Sequence, residues 1–73
     1  MRLPPHSLEA EQSVLGGLLL ENSAWDRIGD VVSEKDFYRQ DHRQILRAIV
    51  KQISDNRPAD AVTVAESLQS LGE

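Results

Sequence analysis

Val14 to Leu20 form an unbroken apolar run with two adjacent glycines, Gly16 and Gly17, inside it. The run is far too short to cross a bilayer, which takes about 20 residues of helix. It carries no polar stripe, so its place is inside a fold, covered on most sides. Leu8, Leu15, Leu18 and Leu19 recur at helical spacing, with Ala10, Ser13, Val14 and Gly17 as a smaller-residue strip beside them. Ser7 is a cap residue ahead of this pattern, and Glu9 and Glu11 stand where the positive end of a helix favours acids. The spacing predicts a helix from about Leu8 to Leu20. Glycine in a helix costs roughly 1 kcal/mol relative to alanine. Two together mean either that the helix stops there or that another backbone crosses too closely for a side chain. The apolar run continues straight through, so the expectation is close crossing at Gly16 and Gly17, with this helix at the centre of the fold.

Three further helical patterns follow. Ser23-Ala24-Trp25-Asp26 reads as a capping box before a short helix that presents Trp25, Ile28 and Val32 on one face. Ser33-Glu34-Lys35-Asp36 repeats the signal and predicts a single helical turn, Glu34 to Phe37, with Phe37 and Tyr38 plugging the core. Ile45, Leu46, Ile49, Val50 and Ile53 stripe a longer helix from about Asp41 to Ser54, closed by Asn56 and Pro58. Asp60 caps a last helix from about Ala61 to Leu71. Its inward residues are Val64, Ala65, Leu68 and Leu71, and Gly72 stands at the C-terminal glycine position. No window alternates apolar and polar residues long enough for a strand. The fold class is all-α: a small bundle of about four helices plus a short helical turn. Residues 1–6, with Pro4 and Pro5, read as an extended lead-in, and residues 7–73 as one helical unit.

A chain of 73 residues buries a modest core, so its own stability is roughly 3–5 kcal/mol. It contains no cysteine, which excludes disulfides and thiolate zinc sites and suits a reducing, cytoplasmic compartment. Met1 to Pro5 lack the apolar segment of a signal peptide. The formal net charge of −4 argues against a free nucleic-acid binder, whose affinity rests mostly on phosphate contacts.

Catalytic chemistry has little to stand on. Gly16-Gly17 leads into leucines, not into the Lys-Ser/Thr of a phosphate loop. His6 and His42 have no second ligand at metal spacing, and His42, early in its helix, reads as a solvated or hydrogen-bonding side chain. The carboxylates sit at helix starts, where capping accounts for them. Arg39, Arg43, Arg47 and Lys51 recur every four residues along one side of the long helix, opposed locally by Asp41 alone. That ridge is either a solvated face or a weak phosphate- or partner-facing surface. It also supports a rival reading, a small stand-alone helix-turn-helix DNA-binding regulator. The acidic balance and the absence of a sharp glycine turn between two helices count against that reading.

Pro4-Pro5-His6-Ser7-Leu8-Glu9-Ala10-Glu11-Gln12-Ser13-Val14-Leu15-Gly16-Gly17-Leu18 resembles the opening of the N-terminal domain of bacterial replicative DNA helicases of the DnaB family. Asp36-Phe37-Tyr38, Asp41-His42-Arg43 and the segment Pro58 to Leu68 resemble later parts of the same domain, in the same order. The resemblance implies a collar domain of a ring hexamer. Such domains pair into dimers, dock the C-terminal domain of primase and help pass single-stranded DNA. ATP and Mg²⁺ would belong to a RecA-like motor domain that these residues do not include, so no cofactor is expected here. It further implies that a helical hairpin follows the globular head and covers apolar surface, with the Val14–Leu20 segment as the candidate for that cover. No membrane role is implied. Glu9 and Glu11, in an acidic first turn, are the candidate partner-binding residues, facing a basic primase surface.

Overall fold

The computed structural model describes residues 7–70. Among these the regular elements are all helical: α1 (Leu8–Leu20), α2 (Ala24–Ile28), a 3-10 turn (Glu34–Asp36), α3 (Gln40–Ser54) and α4 (Ala61–Ser70). The expected lead-in at residues 1–6, His6, Leu71 and Gly72 lie outside the described residues.

Local chemistry explains most boundaries. Ser7 Oγ accepts the amide proton of Ala10 at 3.3 Å and starts α1. Asp60 Oδ1 accepts from Thr63 N at 2.9 Å, while Thr63 Oγ1 accepts from Asp60 N at 2.9 Å, a reciprocal cap that starts α4. Asp36 Oδ2 takes the Ser33 amide at 2.8 Å and closes the 3-10 turn. Asn56 ends α3 in the left-handed region, with φ 59°, where asparagine is tolerated better than most residues. Its N–H donates to Ile53 O, and Arg57 N–H reaches back to Gln52 O at 2.9 Å, the paired closure of a left-handed helix end. Ser23 departs from expectation. It is already helical and its side chain makes no capping bond, because the backbone of Asn22 and Ser23 turns tightly enough to bond Trp25 and Asp26 directly.

The core is built around α3, not α1. α3 packs against α1, α4 and the 3-10 turn, whereas α1 meets only α3 and α2 extensively. The reason is shape: α3 turns Leu46, Ala48 and Ile49 inward, and α1 supplies Leu15 and Leu18. Val32, Phe37, Ala59 and Val64 complete the buried set. Tyr38 was expected to enter the core beside Phe37, but it is 57% exposed. Consecutive residues in extended backbone point to opposite sides, so burial of Phe37 turns Tyr38 outward. Ala65 is likewise exposed, and Leu68 only half-buried.

The twin glycines stay within α1, yet no backbone among the described residues crosses them. A side chain added at Gly16 or Gly17 would meet nothing within 4 Å. The glycine that close approach demands is Gly29, where an added Cβ would lie 2.8 Å from the Trp25 carbonyl and 3.0 Å from its ring.

Candidate partner-binding site

The two acids in the first turn of α1 part company. Glu9 faces solvent, while Glu11, expected to be exposed and partner-facing, is completely buried at 0% exposure. Two residues on a helix differ by about 200° around its axis, so they cannot both face outward. His42, expected to be solvated or hydrogen-bonding, is 7% exposed and hydrogen-bonded.

Glu11 is a junction. Its Oε2 accepts the Tyr38 amide proton at 2.6 Å, and Oε1 accepts the Arg39 amide at 3.4 Å. Oε1 also lies 2.6 Å from His42 Nδ1. With a proton on Nδ1 the ring donates to the carboxylate whether it is neutral or charged. Burial opposes the charge on Glu11. The Tyr38 amide, the His42 ring and the Arg39 amide outweigh it and hold the carboxyl below its ordinary range. The carboxylate therefore ties α1 to the start of α3 and to the segment entering it. No buried side-chain nitrogen or oxygen among the described residues lacks a partner.

The basic ridge is engaged inside the molecule. Arg39 makes two 2.7 Å bonds to Asp41, whose carboxyl this guanidinium holds below its usual range. Arg43 donates to the carbonyls of Phe37 and Tyr38 at 3.0 and 2.8 Å. Arg47 pairs with Glu34, and Lys51 lies 3.5 Å from Asp55. Sequence spacing named only Asp41 as a local counter-charge; the fold adds Glu34, from the 3-10 turn, and Asp55. The ridge holds the 37–39 segment and the 3-10 turn against α3, through contacts that solvent screens.

Asn22 is a residue that sequence reasoning missed. Its Nδ2 donates to Leu18 O and Ala59 O at 2.7 and 2.8 Å, and its Oδ1 accepts from Ala59 N at 2.9 Å. One side chain thus joins the end of α1 to the loop before α4. An asparagine after a helix reads as a breaker, and no local signal marks a contact 37 residues away.

Among the outward-facing residues are Glu9, in the first turn of α1, and the apolar Leu20, 92% exposed, and Val62, 68% exposed. No three metal-ligating side chains cluster among the described residues, and no described helix is long and apolar enough to cross a membrane.

Comparison with known proteins agrees with that architecture. The family described as DnaB-like helicase N terminal domain matches residues 3–73. The chain is 45% identical over 73 residues to a replicative DNA helicase DnaB of Buchnera aphidicola subsp. Acyrthosiphon pisum, covering 100% of this chain and 16% of the relative. A DnaB of the same description from Haemophilus influenzae is 43% identical over 70 residues, which are 96% of this chain and 15% of that protein. The crystal structure of the N-terminal domain of DnaB helicase from Mycobacterium tuberculosis matches with a TM-score of 0.88 at 44% identity, over 96% of this chain and 51% of that one. The chain therefore spans a small fraction of the curated relatives and about half of the solved domain.

Proposed function

Because the chain belongs to the DnaB-like helicase N-terminal domain family, we propose that it is the head of a collar domain in a replicative DNA helicase, acting by protein contact and not by catalysis. The match of the family over residues 3–73 carries this reading. In it, the rest of the polypeptide supplies the RecA-like motor, with ATP and Mg²⁺, and unwinds DNA at the replication fork. In this reading no step of that reaction is assigned to these residues. Residues 7–73 contribute to assembly of the hexameric ring and offer a docking point to the C-terminal domain of primase. Contact with single-stranded DNA is secondary, since the four ridge cations already have internal partners.

Glu9 is the residue to test. Its position on a capped helix fixes its direction, and its interaction with the helix dipole is worth only about 0.3–1 kcal/mol. Glu9→Ala should leave the thermal midpoint nearly unchanged while weakening binding to the primase C-terminal domain in a calorimetric titration. An equal loss of stability and binding would reduce Glu9 to a structural residue. Unchanged binding would remove it from the docking surface.

A further inference from the structure

Between α2, the 3-10 turn and α3 lies a groove that no residue of α1 lines. The buried Val32 and Leu46 form its floor, the half-buried Trp25 and Val50 its walls, and the exposed Arg47 and Lys51 its rim. We infer that this groove docks an acidic peptide segment of a partner protein, which inserts an apolar side chain beside Trp25 and sets carboxylates against Arg47 and Lys51. The inference goes beyond the collar reading and does not depend on Glu9, which lies on α1.

The residue order of α3 builds this face. Leu46 and Val50 are four residues apart, so they stand on one strip of the helix, and Arg47 and Lys51 form the strip next to it. Within each strip the two residues are separated by a rise of about 6 Å. A segment that fits both strips carries an apolar side chain next to carboxylates, because charge complementarity selects the partner. Glu34 is the one acid in the lining, and both of its oxygens are engaged by Arg47. Lys51 lies 3.5 Å from Asp55, with its side chain 65% exposed. Such an exposed pair is weak. The ammonium carries three donors, so a second carboxylate can join it. The rim thus sets two cations against one acid, in a chain whose net charge is −4.

The lining also decides the class of partner. Single-stranded nucleic acid is held by bases stacked on aromatic faces. Here the Trp25 indole is the one aromatic ring in the lining. Gly29 already lies against it: a Cβ there would come within 3.0 and 3.2 Å of two ring atoms. The rest of the apolar lining, Val32, Leu46 and Val50, is aliphatic and matches an apolar side chain of a peptide rather than a stacked base.

Trp25 is the sole tryptophan of the chain, so its fluorescence reports directly on this groove. A phage library of random short peptides is selected on the 73-residue chain. The retained peptides are then synthesised without tryptophan and titrated by Trp25 emission. They should place aspartate or glutamate beside leucine or phenylalanine and should shift that emission. Lys51→Glu, checked by thermal melting to be folded, should weaken them roughly tenfold or more, while Lys51→Arg keeps the binding. Basic or uncharged peptides, peptides that bind Lys51→Glu as well as wild type, or a library yielding none that moves Trp25 emission would each overturn the inference. Displacement of the peptides by oligothymidylate, with a steep salt dependence, would give the groove to nucleic acid and overturn the occupant. Self-association of the chain in sedimentation, abolished by Lys51→Glu, would give it to a second copy with the same consequence. Primase is absent from every arm, so failure of this groove and failure of the Glu9 proposal are separable.

Discussion

The two ends of α1 treat polarity in opposite ways. Near its start a charged residue, Glu11, is wholly buried; at its last position an apolar residue, Leu20, is almost wholly exposed. Both lie on one helix of 13 residues. The buried acid is tolerated because both of its oxygens have donors: two backbone amides and an imidazole. The exposed leucine is tolerated because an apolar side chain in water leaves no polar group unpaired. Along this helix the burial of a polar side chain thus follows the availability of hydrogen-bond partners.

The sharpest way to break the contrast is at Glu11. Glu11→Ala strands His42 and two amides in the interior and should cost about 3–5 kcal/mol, comparable with the roughly 3–5 kcal/mol available to a chain this small. Circular dichroism should show a largely unfolded variant; a melt like wild type would mean that the interior tolerates those groups unpaired.

Acid gives a graded version. The folded carboxyl of Glu11 lies below its ordinary range, so the unfolded chain binds the proton more readily. The stability from this group is present above roughly pH 4.3 and is lost as the pH falls through the lower, folded value. Asp41 and Glu34 are shifted in the same direction by Arg39 and Arg47. In urea melts between neutral pH and pH 3, Glu11→Gln should make the acid loss shallower without removing it. An unchanged slope would separate Glu11 from the pH response.

The glycines sharpen the other end. Gly17→Ala fills open space in a helix and should raise stability by about 0.5–1 kcal/mol. Gly29→Ala, whose Cβ would press on the Trp25 carbonyl, should lower it by about 1–3 kcal/mol. Thermal melts that reversed the two signs would place the close crossing at the twin glycines after all. The smallest effect belongs to Leu20→Ser, expected within about 0.5 kcal/mol in the 73-residue chain. A larger loss would show that Leu20 already has a partner within it.

Local patterns carried the elements well. Ser7, Asp60 and Asn56 each act within a few residues of themselves, and the helices they bound start or stop there. The 3.6-residue stripe of α3 found its inward face because amphipathicity is a property of the segment alone. Side-chain roles in the candidate site were harder to read. Glu9 and Glu11 are equivalent as first-turn acids, and only the position of α3 makes one a surface residue and the other a buried junction. Gly16, Gly17 and Gly29 are likewise indistinguishable in sequence, since what matters is whether another atom occupies the space a Cβ would need. Asn22 belongs to the same class, as its partner Ala59 lies 37 residues away.

By itself the sequence determined that this chain is helical, within a residue where α1, α3 and α4 begin, and which family it joins. Those properties depend on short-range hydrogen bonds, on periodicity and on residue order. Only the tertiary structure decided that α3 is the centre, that Glu11 and His42 face each other in the interior, that the arginine ridge is engaged internally, and that Trp25 and Lys51 line one groove. Each of these depends on distances between residues far apart in the chain, and such distances are set when helices pack, by which surfaces fit together at close range.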